Sequence, residues 1–388
     1  MEWYIITDIE RLDTPALVVY PDRVRQNIRN AVAMVGDPAR LRPHVKTHKS
    51  PMVTRFLLEA GIRQFKCATI AEAEMLAIEG APDVLLAYQP IGPKAARLAE
   101  LIRKYPGTTF SCLIDNEEAA TAMAAVFAGA DRGAGSAVRG TAAAGSTVSG
   151  AAEGLTVPVW MDINVGMDRT GIAPGPGAER LWELSNRLEG ITPVGLHAYD
   201  GHIRDADIAV MTRNCEAAFA GVMELRRALG GDAVPLIAGG SPTFPVHARR
   251  AGIQCSPGTF VYWDKGYADQ FPGQPFLPAA LVVSRVISLR GESRICIDLG
   301  HKSIAAENEI GKRVSFLNRA GLRPVGQSEE HLVLEAGPGH GMHTGDIFYG
   351  IPFHVCPTVA LYERAYAIEN GRVGEEWRNT ARDRKLSV

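Results

Sequence analysis

Residues 40–88 read RLRPHVKTHKSPMVTRFLLEAGIRQFKCATIAEAEMLAIEGAPDVLLAY. The hydrophobic period changes four times within these 49 positions. RLRPHVK is a strand candidate. SPMVTRFLLEAG has helical spacing, opened by Ser-Pro and closed by Gly. RQFKCAT is a second short strand, AEAEMLAIEG a second helix and DVLLAY a third strand. Strand, helix, strand, helix, strand is the pattern of parallel pairing with crossover helices.

The alternation continues downstream. Helix PKAARLAELIRKY (93–105) precedes strand TFSCLID (109–115), and helix NEEAATAMAAVFAG (116–129) precedes strand VPVWMDINV (157–165). Helix GAERLWELSNRL, strand TPVGLHAY, a long helix from about Ile208 to Gly230, strand VPLIAGG, helix TFPVHARRAG and strand IQCSPG complete the series. Eight strands, each separated from the next by a helix, predict an α/β fold: a closed (β/α)8 TIM barrel over residues 21–262. An open doubly wound sheet is the alternative, but no GxGxxG follows the first strand.

Residues 128–153, AGADRGAGSAVRGTAAAGSTVSGAAE, consist almost wholly of Gly, Ala, Ser and Thr and break the rhythm after the fourth helix. This composition buries no core and reads as a surface insertion between barrel units. From residue 263 onward the segments LPAALVVSRVISLR, SRICIDLG, EEHLVLEA, GDIFYGIPFHVCPTVALY and YAIENGRV are strand-like and carry no helices between them. Residues 263–388 are therefore expected to form a C-terminal antiparallel β domain, with residues 1–20 joining it.

The chain has 388 residues, is 46% hydrophobic and 22% charged, and has a formal net charge of −2. Nothing in that balance calls for nucleic acid or an anionic membrane as partner, and no apolar run is long enough for a membrane span. The six cysteines are scattered with no CxxC pair, which argues against a disulfide framework or a zinc knuckle. The opening MEWYIITDIERLDTP is unlike a secretory signal. A cytoplasmic enzyme acting on a small molecule is expected.

In such barrels the chemistry sits at the carboxyl ends of the strands. Strand one ends on His44, Lys46 and His48; strand five in NVGMDRTG with Arg169; strand six in HAYDGH with His197, Tyr199, Asp200 and His202. Strand seven ends in AGGSPT and strand eight in SPGT. Polar groups from five strands thus converge on one rim. Gly239, Gly240 and Ser241, with Ser256, Gly258 and Thr259, form two neighbouring turns whose backbone N–H groups and hydroxyls suit a phosphate. Two plain tight turns are the alternative. Lys46, in a charge-crowded barrel mouth, suits Schiff-base chemistry. Opposite a phosphate site, pyridoxal 5′-phosphate is the matching aldehyde. His354 and Cys356, in FHVCPT, would share one face of a strand as half of a metal site. A core cysteine beside a histidine is the plainer reading of that pair.

Taken together, PHVKTHK, NVGMDRTG, HAYDGH, AGGSPTFP, CSPGT, DLGHKSIAAE, GQSEEH and HVCPT resemble a known group in chain order over nearly the whole length. This is the D-threonine aldolase / D-serine dehydratase-like family of fold-type III, alanine racemase-like pyridoxal phosphate enzymes. The resemblance implies that Lys46 carries the cofactor, Arg169 contacts its ring with Tyr199 alongside, and the GGS and SPGT turns hold its phosphate. It implies a divalent metal (Zn, Mn or Mg) on His354 and Cys356, and a homodimer in which the β domain completes the partner's barrel. It further implies cleavage of a D-β-hydroxy-α-amino acid to glycine and an aldehyde, with His202 as base. Dehydration of D-serine or D-threo-3-hydroxyaspartate to ammonia and an oxo acid is the alternative. Cysteine in the metal arm is the residue of the family's zinc-dependent dehydratases, where its aldolases carry aspartate. An amino-acid racemase, needing a second base and no metal, is a more distant alternative.

Overall fold

The computed structural model describes residues 2–129 and 154–388. Strand β1 (Ala16–Val19) leads into α1 (Pro21–Val35) and, after a loop, α2 (Pro51–Glu59). Then follow β2 (Gln64–Cys67), α3 (Ile70–Ile78), β3 (Asp83–Leu86), α4 (Pro93–Lys104), β4 (Thr109–Ile114) and α5 (Glu117–Ala128). The second half brings β5 (Val157–Ile163), α6 (Pro176–Arg187), β6 (Ile191–Ala198), α7 (Ile208–Leu229), β7 (Leu236–Ala238), α8 (Phe244–His247) and β8 (Ile253–Cys255). Prolines in the first turn of α1, α2, α4 and α6 start helices where the missing N–H has no bond to lose. Thr69 and Asn116 cap α3 and α5, accepting from the backbone of Glu72 and Ala119.

Strands β2 to β8 form one parallel sheet in sequence order. The expected first barrel strand, residues 40–46, is not a regular strand. Only Leu41 and His44 pair, with Cys255 and Lys66, each in parallel sense. This short segment nevertheless touches both edges of the sheet: Arg42 N donates to Cys255 O, His44 N to Pro257 O and Lys66 N to Pro43 O, all at 2.9 Å. The ring is thereby closed. The strand stays short because Pro43 has no N–H to offer, and because the His44 ring accepts from Lys46 N at 3.3 Å, turning the chain into a 3-10 turn at Val45–Thr47. The barrel therefore has the predicted architecture with one strand reduced to a hinge-like stave. Most of the insertion expected at 128–153 lies outside the described residues. Its flanks meet, Leu155 N donating to Phe127 O at 2.8 Å.

Arg42 fastens the stave from inside. It is 1% exposed, pairs bidentately with Asp83 at 2.6 and 2.9 Å, and donates from Nε to Gln254 Oε1 at 3.0 Å. Removing one partner of such a pair leaves polar groups unpaired, at about 3 kcal/mol. Arg42→Leu is expected to lower the urea midpoint by that equivalent; an unchanged midpoint would mean that the stave is held by its backbone alone.

The second sheet contains β9 (Ala280–Arg290), β10 (Arg294–Ile297), β11 (Val314–Phe316), β12 (Arg323–Gln327), β13 (Leu332–Glu335), β14 (Ile347–Pro352), β15 (Arg364–Glu369) and β16 (Arg372–Arg378). Strands β9 to β16 pair antiparallel, as expected, and β1 joins them antiparallel to β9 and parallel to β15. One expectation is corrected: helices accompany the strands, α9 (Lys265–Gln270) before β9 and α10 (Val355–Leu361) at the end of the stretch read as one long strand. His354 has extended backbone and Cys356 lies in the first turn of that helix, where Pro357 is tolerated because first-turn N–H groups have no intrahelical partner. The two residues meet across a helix start, not along a strand.

Candidate active site

The strand ends enclose one pocket. Its wall is formed by His44 and Lys46 from the stave, Lys66 from β2, Asp162, Arg169 and Thr170 from β5 and its loop, His197 from β6 and Tyr199 just beyond it. The turns after β7 and β8 supply Gly240, Ser241, Ser256, Gly258 and Thr259, and α9 supplies Tyr267. Inside the barrel below lie Leu85, Leu113, Trp160 and Ile237, so the pocket is a mouth above a filled core. A larger hollow outside the barrel, between α4 and α5, is walled mainly by alanine and proline and gathers no comparable cluster of polar groups.

The two glycine-rich turns make a cradle. Gly258 N and Thr259 N both donate to Ser241 Oγ, at 3.1 and 3.0 Å. A Cβ on Gly258 would meet His44 O at 2.9 Å, and one on Gly240 would meet Tyr199 Cε2 at 2.8 Å. Gly239, at φ +76°, sits just behind the pocket wall and accepts from Ser256 Oγ at 2.9 Å. Adjacent N–H groups, hydroxyls and lysines in a space that any side chain would fill fit a phosphate monoester.

Around this cradle the charges are ordered by two carboxylates, the buried Asp162 and the half-buried Asp115. Asp162 Oδ1 pairs with His197 Nδ1 at 2.7 Å, and its Oδ2 accepts from Thr170 Oγ1 at 2.8 Å. Asp115 accepts from Gly171 N at 3.1 Å and from Gln89 at 3.0 Å. These bonds fix the loop that carries Arg169, whose guanidinium lies 5.0 Å from the Tyr199 ring centre. Burial lowers the His197 imidazole, and the Lys66 charge adds to this, so the ring is neutral at pH 7. Burial, followed by the charge of Lys46, brings the Lys66 amine down to about 7.

The donor pair at the edge of α10 adjoins the same space. Cys356 Sγ lies 3.2 Å from Thr47 Oγ1 and 3.7 Å from Thr259 Oγ1, reaching both the stave and the turn after β8. Burial works to raise the Cys356 thiol, but the hydrogen bond from His354 and the charge of Lys46 outweigh it and hold the thiol below its usual range. Burial alone would lower the His354 imidazole. Its bond to Cys356, then Glu307 2.5 Å from its Nδ1, pushes it up to about 9. Thiolate beside imidazole is a donor set that fits zinc. A second group, Asp200, Cys215 and His247, also lies within metal-binding distance. It is fully buried and already satisfied: Asp200 accepts from Thr243 Oγ1 at 2.8 Å and His247 Nε2 at 2.7 Å, while burial pushes the Cys215 thiol up to about 12. That network braces the turn after β7.

Of the residues singled out in sequence, Lys46, Arg169, Tyr199, Gly240, Ser241, Ser256, Gly258 and Thr259 line the pocket, and Gly239 supports it. His202 is exposed and outside the lining, at 3.2 Å from where a Cβ on Gly166 would stand. On the stave, His44 faces the pocket, whereas His48 is buried and accepts from Ser50 N at 3.1 Å. Lys49 pairs with the buried carboxylate of Glu72. Sequence reading missed Lys66 and Asp162. The available signal was a lysine and an aspartate on short, largely buried parallel strands, where charge is rare unless used.

Fold and pocket together define an alanine racemase-like barrel with an amine and an anion cradle at its mouth. Residues 19–265 match the family model described as "Alanine racemase, N-terminal domain", and residues 279–368 match a second model for a serine dehydratase domain. The chain belongs to the alanine racemase N-terminal domain family. It is 26% identical over 387 residues to a D-threonine aldolase of Arthrobacter sp, covering 96% of this chain and 94% of that protein. It is 27% identical to D-threo-3-hydroxyaspartate dehydratase of Delftia sp. (strain HT23), over 65% of this chain and 62% of the relative. The solved D-threonine aldolase from Filomicrobium marinum superposes with a TM-score of 0.81 at 24% identity, over 95% of each chain. By their names, these relatives are lyases.

Proposed function

We propose that the protein is a pyridoxal phosphate- and divalent metal-dependent lyase that cleaves D-β-hydroxy-α-amino acids, such as D-threonine, to glycine and an aldehyde. The observation that carries this reading is the meeting of three chemistries in and beside one pocket: the Lys46 amine, the Ser241–Gly258–Thr259 cradle, and the adjoining His354–Cys356 donor pair, whose thiol touches Thr47 and Thr259. The family resemblance and the full-length aldolase relative support it. When bound, the cofactor supplies an electron sink at the substrate's α-carbon, and the metal supplies a Lewis acid at its β-hydroxyl.

The chain's own residues divide the remaining work. Lys46 would hold the cofactor by its aldehyde and, as a free amine, would carry a proton beside the substrate's α-carbon. Ser241, Gly258 and Thr259 would grip the phosphate, while Arg169 and Tyr199 would confine the ring. His354 and Cys356 would hold the metal. His202, on the rim, takes the β-hydroxyl proton, which commits the substrate to carbon–carbon cleavage. The working unit is a cytoplasmic homodimer whose β domain closes the partner's barrel.

A second reading, dehydration of D-serine or D-threo-3-hydroxyaspartate, is favoured by one observation: the thiol at 356, held below its usual range, is a zinc-suited ligand. Incubation with D-threonine and with D-serine, each with and without chelator, separates the two. Glycine plus acetaldehyde, lost on chelation, is expected. Ammonia plus an oxo acid would transfer the assignment to the dehydratase, and turnover indifferent to chelator would point to a racemase.

A further inference from the structure

Lys66 stands in the middle of the barrel mouth, 3% exposed, and the function proposed above gives it no task. Its hydrogen-bonding partners are fixed by their own commitments. Ser256 has one hydroxyl proton and donates it to Gly239 O at 2.9 Å, so its oxygen is an acceptor for Lys66 Nζ at 2.7 Å. His197 is neutral and turns Nδ1 to the carboxylate of Asp162. Its proton therefore sits on Nδ1, and bare Nε2 accepts from Lys66 Nζ at 3.2 Å. Two of the three positions on the amine are thus directed to the wall. The third opens on the pocket that Lys46 also lines.

We propose that Lys66 is a cofactor-contacting residue: its amine, held by Ser256 and His197, uses its remaining position to hydrogen-bond the pyridoxal phosphate carried by Lys46. The inference rests on the reading of this pocket as a pyridoxal phosphate site. It joins Asp162, His197 and Lys66 into one directed line from the barrel wall to the cofactor. The same Asp162 accepts from Thr170, next to Arg169. A single buried carboxylate therefore sets two of the cations that meet the cofactor, one from inside the barrel and one from the rim. The charged groups acting on Lys66 are Lys46 and Arg169 on one side and Asp162 and Asp200 on the other. The amine can thus donate or accept at its third position without an unpaired charge being stranded.

The test compares the full-length wild type with Lys66→Met after reconstitution with pyridoxal phosphate. Three quantities are read: the visible absorption of the bound cofactor, its dissociation constant, and the site of borohydride trapping by peptide mass mapping. The wild type is expected to trap cofactor on Lys46. The variant is expected to trap it on Lys46 as well, but with a displaced absorption band and about tenfold weaker binding, as for loss of one buried hydrogen bond to a charged group. A purely structural role for Lys66 would lower thermal stability while leaving the band in place, and that result overturns the proposal. An unmoved band with undiminished affinity overturns it equally. If the wild type itself traps no cofactor, the underlying site reading fails, and this outcome is separate from any behaviour of the variant. Should Lys66→Met fail to fold, His197→Asn replaces it. That change frees the amine from one anchor and is expected to displace the band in the same direction by a smaller amount; an unmoved band there overturns the proposal.

Discussion

Lys46→Ala is expected to abolish both the visible absorption of the reconstituted protein and its turnover of D-threonine, by a factor of about 10³ or more. The Lys46 amine faces the same pocket as the cradle of Ser241, Gly258 and Thr259, and its side chain hydrogen-bonds no other group among the described residues. A half-buried lysine without a structural bond can be removed at little cost to folding, so an unchanged melting temperature should accompany the loss. Lys66, in the same pocket, does not rescue the variant, because two positions on its amine are held by Ser256 and His197. If Lys46→Ala kept the absorption band, the lysine would not be the attachment point and the assignment of the barrel mouth would fall.

The metal arm gives the second large effect. His354→Ala and Cys356→Ala are each expected to reduce cleavage about 10²- to 10³-fold, the size of effect lost with a Lewis acid worth several kcal/mol. Cofactor absorption should remain in both, because neither residue belongs to the Ser241–Gly258–Thr259 cradle. Metal analysis of the purified variants, set beside their absorption spectra, checks the claim; variants that bind metal like the wild type would contradict it. The sign of the pH effect follows from the pair itself. A metal bound there would have to displace the proton that Cys356 and Glu307 hold on His354, whose pKa they push up to about 9. Protons compete for that nitrogen below this value, so metal affinity is expected to fall as the pH is lowered.

The barrel was legible because its signal is repetitive. Eight strand candidates at regular spacing, with prolines and caps at the helix starts, repeat one local rule, and the parallel β2–β8 sheet follows it. The glycine turns were legible for a related reason, since Gly240 and Gly258 stand where a Cβ would meet Tyr199 and His44 O. Regularity hid what departs from it. His44 ends the first strand by accepting the N–H of Lys46, a local bond that period-counting does not register. FHVCPT keeps the apolar alternation of β14, yet the chain turns into α10 at His354. Lys66 was missed because one lysine on a short strand resembles an edge or solvated position. Only the closed ring shows that it points inward, toward residues 131 and 190 positions later in the chain.

The position of β1 in the second sheet has a consequence for assembly. Val18 pairs with Tyr366, and Ala16 with Val283, so this strand waits for partners that emerge from the ribosome only after the whole barrel. The (β/α)8 ring is built from neighbours in sequence and can close during synthesis, whereas the second sheet depends on contacts spanning most of the chain. Until β9 and β15 arrive, residues 16–19 present an apolar, unpaired strand, a surface of the kind that chaperones shield. Trimming those residues would remove the centre of a sheet, not its rim, and would cut β15 and β16 off from the strands on the other side.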